Sequence, residues 1–131
     1  MIIREIVAGT WSIFAVCKAD GTCPLLTFLE GHARRNAVDG LLAIFEHCAN
    51  DPKGPRLFNR EVSKTLRDGI CEFRKARLRI LWFTDSNRVI ICSHGFEKKS
   101  NKTPNSEIER AIRNKKTYQA AKSKREITVI H

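Results

Sequence analysis

Three lysines crowd one short stretch of this chain, His94-Gly-Phe-Glu-Lys-Lys-Ser-Asn-Lys-Thr-Pro104: they are Lys98, Lys99 and Lys102. The stretch follows an apolar, strand-like run and opens a helix-like segment, so the ammonium groups gather at a junction of sheet and helix. A cationic loop in that position can hold a phosphate, which points to a nucleic-acid partner. Two arginines add to it. Arg74 ends the run Glu72-Phe73-Arg74 and points opposite to Phe73, while Arg79 begins the next run and can approach the same edge. A planar guanidinium binds two phosphate oxygens at once. The competing assignments are an ion pair of Arg74 with Glu72 or Asp85, a rim position for Arg79 beside Leu81 and Phe83, and a merely solvated lysine turn.

The elements that must position these groups can be read from pattern. Ile2 to Val7 and Trp11 to Cys17 are rich in strand formers, with Gly9 as a bend and Ala19-Asp20-Gly21-Thr22 as a turn. Pro24 to Leu29 is a short apolar segment. From His32 to Ala49, Ala37, Val38, Leu41, Leu42, Phe45, Cys48 and Ala49 form one helical stripe, which Asn50-Asp51-Pro52 ends. Residues 50–59 form a loop, and Arg60 to Arg67 is a short helical turn or an irregular basic approach. After the Asp68-Gly69 turn come three strands, Ile70 to Arg74, Leu78 to Thr84 and Val89 to His94, the last two joined by a hairpin at Asp85-Ser86-Asn87. Ile80-Leu81-Trp82-Phe83 and Val89-Ile90-Ile91-Cys92 are apolar on both faces, as strands covered on both sides are. Thr103 is the expected cap and Pro104 the first residue of a final helix, with Ile108, Ala111, Ile112 and Tyr118 as its buried stripe. Ile127 to Ile130 is a short β-like tail.

At 131 residues the chain predicts a single domain, residues 1–131, with one modest core. Charge is one-sided. Residues 1–59 carry six Lys/Arg and six Asp/Glu, whereas residues 60–131 carry eighteen and eight, so the entire formal surplus of +10 lies in the second part. That asymmetry suits a polyanion. No apolar run approaches the roughly 18 residues that would span a bilayer, and the N-terminus lacks the parts of a signal peptide, so a cytoplasmic location without membrane contact is expected. The five cysteines, Cys17, Cys23, Cys48, Cys71 and Cys92, are odd in number and widely spaced. This predicts no disulfide framework, with Cys17, Cys71 and Cys92 as reduced small hydrophobes. His32, His47 and Cys48 lack a second pair to complete a zinc site, and no metal or cofactor is expected.

Taken in order, these motifs resemble the RelE/HigB toxins of bacterial type II toxin–antitoxin systems, in the phage-derived HigB-like branch. The matching residues are Gly69-Ile-Cys-Glu-Phe-Arg74, Arg79-Ile-Leu-Trp-Phe83, His94-Gly-Phe-Glu-Lys-Lys99, Lys102-Thr-Pro104 and Glu107-Ile-Glu109, with Asp20-Gly21 and Pro24 at an earlier turn. The likeness covers residues 11–122 and is most specific over 69–112. It implies an α+β, RelE-like fold: a small antiparallel sheet flanked by an N-terminal helical segment and a C-terminal helix. It also implies a metal-independent endoribonuclease, an mRNA interferase that cuts mRNA on the 70S ribosome and is held inactive by a cognate antitoxin with a helix-turn-helix domain.

Such cleavage needs a base for the ribose 2′-OH, cations for the charge that builds on the phosphoryl oxygens, and an acid for the leaving 5′-oxygen. With no clustered Asp/Glu pattern for a two-metal site, cationic stabilisation is the alternative. Arg74, Arg79, Lys98, Lys99 and Lys102 are the candidate catalytic residues. Lys75 and Arg77, in the tight connection, and Lys64 and Arg67, in the basic approach before it, are the candidates for tracking the RNA backbone. A lysine crowded among cations has a lowered pKa and could handle a proton, although successive residues cannot all point inward. His94 and Tyr118 also carry transferable protons; a structural place in the strand and in the helix packing competes with that role. The reading that competes with the enzyme is a non-catalytic RNA- or ribosome-binding module on the same fold.

Overall fold

The computed structural model describes residues 1–131. Seven strands build one mixed sheet: β1 (Ile2–Val7), β2 (Ser12–Cys17), β3 (Ser63–Arg67), β4 (Ile70–Lys75), β5 (Leu78–Asp85), β6 (Val89–Glu97) and β7 (Thr128–Ile130). Their order across the sheet is β3-β4-β5-β6-β2-β1-β7. The expected small antiparallel sheet is therefore corrected. β3 to β6 form an antiparallel meander and β1 pairs antiparallel with β2, but β2 runs parallel to β6 and β1 parallel to β7. The two parallel pairings join segments far apart in the chain, which no local alternation pattern announces.

The single N-terminal helical segment is corrected too. It is two helices, α1 (Pro24–Gly31) and α2 (Arg35–Asn50), with α3 (Asn105–Ser123) as the third. α1 and α2 cover one face of the sheet over a cluster that includes Leu25, Leu41, Phe45, Phe73, Ile80 and Trp82. There Phe73 and Trp82 stack with ring centroids 4.7 Å apart. α3 covers the other face over Leu81, Phe83, Ile91, Ala111 and Tyr118. β5 is buried from Leu78 to Phe83 because both faces are covered, as its continuous apolar run requires. On α2 the buried stripe takes Ile44 in place of Leu42, which is 41% exposed.

Local differences have local causes. Residues 63–67 form strand β3, because the Asp68-Gly69 turn, with both φ angles positive, folds them back against β4. β6 runs on past His94 to Glu97. Within it the register shifts between Leu81 and Trp82: His94 faces Leu81, Cys92 faces Trp82, and Ser93 is the extra residue of a bulge. Ser93 and His94 consequently both turn toward α3, where Asn114 Nδ2 donates to Ser93 Oγ at 2.7 Å and His94 Nε2 lies 3.6 Å from Glu107 Oε1. Cys17 and Cys23 are joined in a disulfide across the Lys18–Thr22 turn, correcting the reduced state expected for Cys17, while Cys48, Cys71 and Cys92 are free. No helix is long and apolar enough to cross a membrane.

Candidate functional site

On the face that α3 covers, the ends of β4, β5 and β6 come together with the loop before the helix. Arg74 and Arg79 are direct cross-strand partners. Two cations set opposite each other in a sheet repel, and the structure answers with a carboxylate. Glu72 lies two residues before Arg74 and shares its face; its Oε2 is 3.6 Å from Arg74 Nε and its Oε1 4.0 Å from Arg79 Nε. Glu72 is only 2% exposed and Arg79 only 6%. Arg79 is thus a buried group and not the rim residue that the sequence also allowed. Its Nη1 donates to the carbonyls of Ala76 and Leu78 at 2.8 and 2.9 Å, and Arg74 Nη1 donates to the Arg60 carbonyl at 3.3 Å.

Beside this cluster runs a groove of about 280 Å³, whose lining includes Lys64, Glu72, Arg74, Lys98, Lys102 and Thr103. A second groove of about 330 Å³ reaches Arg74 and Arg79 from the side of Glu61 and Ala76. The ammonium of Lys98 is pushed below the ordinary lysine range, first by burial and then by Arg79 and Arg74, with Glu72 opposing. Arg79 is lowered in the same way, by burial and then by Arg74.

The structure brings together five of the nine residues singled out above: Arg74, Arg79, Lys98, Lys102 and Lys64. Lys99 is exposed and outside the groove lining. Lys75 points to the other face, against α2 at Gly40, and Arg77 is exposed with Nη1 on the Lys98 carbonyl. Arg67 reaches the groove wall, but its guanidinium is taken by Asp68 and Glu109 at 2.7 Å each. Its pKa rises through those two carboxylates, Glu109 first.

His94 is 1% exposed and hydrogen-bonded to Ser93 Oγ at 2.8 Å. Burial, and then Arg110, push its imidazole down to about 4. It is a neutral interior group, away from the groove lining. Tyr118 packs edge-on to Phe83 and donates its hydroxyl to Asp85 at 2.6 Å, at the other end of β5. Two further groups belong to the site. Glu72, in the sequence a partner for Arg74 alone, shares its face by alternation and reaches Arg79 as well. Thr103, the expected cap of α3, donates its hydroxyl instead to Glu72 Oε1 at 2.8 Å, and Pro104 occupies the cap position. No group of three or more His, Cys, Asp or Glu side chains is placed to hold a metal ion.

Fold and groove together define an α+β protein with a cluster of partly buried cations at the open end of a mixed sheet. The family described as phage-derived protein Gp49-like matches residues 41–116, more than half of the chain and the span from within α2 through the groove residues. The chain belongs to this Gp49-like family. No curated protein matches it.

Proposed function

We propose that this protein is the toxin of a type II toxin–antitoxin pair, a metal-independent endoribonuclease of RelE/HigB type that cuts mRNA on the ribosome. Its partner is an antitoxin with a helix-turn-helix domain. The observation that carries the reading is the clustering of Arg74, Arg79 and Lys98 at three adjacent strand ends, with Arg74 and Lys98 lining one groove and Arg79 directly across the strand pair from Arg74. A phosphodiester in that groove would meet Arg74 and an ammonium of lowered pKa, with Arg79 reached through the adjoining groove.

In the reaction, neutral Lys98 takes the proton of the ribose 2′-OH. The 2′-oxygen bonds to phosphorus, the P–O5′ bond breaks, and the leaving 5′-oxygen takes a proton from solvent at the open mouth of the groove. The products are a 2′,3′-cyclic phosphate and a 5′-hydroxyl. Arg74 and Arg79 neutralise the charge that grows on the non-bridging oxygens, and Lys64 and Lys102 hold the neighbouring backbone.

Translated mRNA incubated with the protein should acquire cuts bearing 2′,3′-cyclic phosphate ends. Arg74→Ala should slow that cutting by about 100-fold or more while remaining folded, the usual loss when one transition-state donor is removed. RNA binding and translation arrest without any cut would identify a non-catalytic binding module instead. Normal growth and intact mRNA on induction would reject the toxin reading.

A further inference from the structure

Glu72 takes no part in the phosphate chemistry above, yet no other charged side chain at the groove is so deeply buried. A carboxylate out of water is tolerated only when its charge is compensated and its oxygens are bonded. Here the compensation comes from two strands and one loop: Arg74 from β4, Arg79 from β5, and the hydroxyl of Thr103. Both arginines approach it through Nε and use Nη1 on backbone carbonyls. Neither Nε has a hydrogen bond, so the hold at that atom is one of charge.

Thr103 is half-buried and ends the stretch that carries Lys98 and Lys102; its neighbours Ser100, Asn101 and Lys102 are all exposed. At its start the loop is held by the Lys98 N–H, which donates to the Arg77 carbonyl at 2.7 Å, and the Thr103–Glu72 hydrogen bond ties its far end to the sheet beneath it. Arg74 and Arg79 around one carboxylate leave a surplus of one positive charge while Lys98 is deprotonated, and of two once Lys98 has taken the 2′-OH proton. The second value matches, with opposite sign, the two negative charges that a phosphodiester reaches in the transition state.

We infer that Glu72 and Thr103 are positioning residues: the buried carboxylate aims Arg74 and Arg79 from below, and Thr103 fastens to it the loop that carries Lys98 and Lys102. The role in catalysis rests on the endoribonuclease reading; the fastening of the loop does not.

Thr103→Val removes the hydroxyl at nearly constant volume, and Thr103→Ser keeps it. In the free protein, Thr103→Val should speed hydrogen exchange of the Lys98 amide, which donates to the Arg77 carbonyl at 2.7 Å, by about five-fold or more, with β4 and β5 unchanged, and Thr103→Ser should match the wild type. On RNA, Thr103→Val should lower kcat about tenfold with little change in KM, and Thr103→Ser should restore it. Glu72→Gln keeps an acceptor for Thr103 but removes the charge. Lys98 then faces only Arg74, Arg79 and Lys64, so the rise of activity with pH should move to lower pH. Wild-type loop exchange and kcat in Thr103→Val would overturn the inference. If the wild-type protein cuts no RNA, the enzyme reading falls and loop exchange alone decides whether the fastening stands.

Discussion

At the residue scale, burial decides what each titratable group can do. Lys98 and His94 both have lowered pKa values, but Lys98 faces a groove and His94 faces the interior. The lowering at His94 is consequently a statement about stability. The imidazole titrates near 6.5 when exposed and at about 4 in the fold. Between those values the unfolded chain takes up a proton that the native state refuses. Stability is thus full above about pH 6.5, declines as pH falls toward 4, and is constant below, with a total of about 3 kcal/mol at stake. Thermal melts from pH 7.5 to 4.5 should show this decline, and His94→Gln should make it shallower. An unchanged slope in the variant would assign the decline to other groups. In the sequence, His94 could be seen to end an apolar run, but its Ser93 and Glu107 neighbours could not be seen, since a bulge and a helix on the far side of a loop supply them.

At the element scale, the site depends on how closely the helices sit on the sheet. Gly95, in β6, faces α1: a Cβ built there would come within 2.5 Å of the Phe28 ring, with Lys98 three residues further on. Gly95→Ala should force Phe28 to move and cost roughly 1–3 kcal/mol, read as a lower denaturant midpoint, with cutting reduced in step through the shifted strand end. An unaltered midpoint would mean that Phe28 yields freely. Elements were legible where the pattern is local. The helical stripe of α2, the Asp68-Gly69 turn and the strands β4 to β6 follow from periodicity and turn chemistry. Ser63–Arg67 gives no strand signal because it is largely polar and half-exposed, an edge strand with no alternation to read. α1 reads in the sequence only as an apolar segment, since eight residues give too few turns to show a period.

Across the whole molecule, the surplus charge of residues 60–131 is divided between the two faces of the sheet. Arg74, Lys98, Lys102 and Lys64 collect at one groove on the α3 side, whereas Lys75 stands on the α2 side. For single-stranded RNA held through four phosphate contacts, log Kd should rise with log salt at a slope of about 3. Lys64→Ala should lower that slope by about 0.7, and Lys75→Ala should leave it unchanged. Equal effects from the two variants would mean that RNA spreads over both faces. The basic half was plain in the sequence. Its division between faces was not, because it depends on which side of a strand each residue occupies.

That division comes down to a matter of parity. Alternation along β6 would set residues of even and odd number on opposite faces throughout, and Ile91 lies on the α3 side. The extra residue at Ser93 reverses the count, so that from His94 onward the even-numbered residues, Phe96 and Lys98 among them, share the face of Arg74 and Arg79. Were Ser93 kept but drawn into regular alternation, Lys98 would swing to the α2 side and Glu97, now paired with His32 and Arg34, would take its place among the arginines. Deleting Ser93 outright would instead leave Lys98 on the face of Arg74 and Arg79, so it is the bulge, and not the length of the strand, that the numbering of the site records.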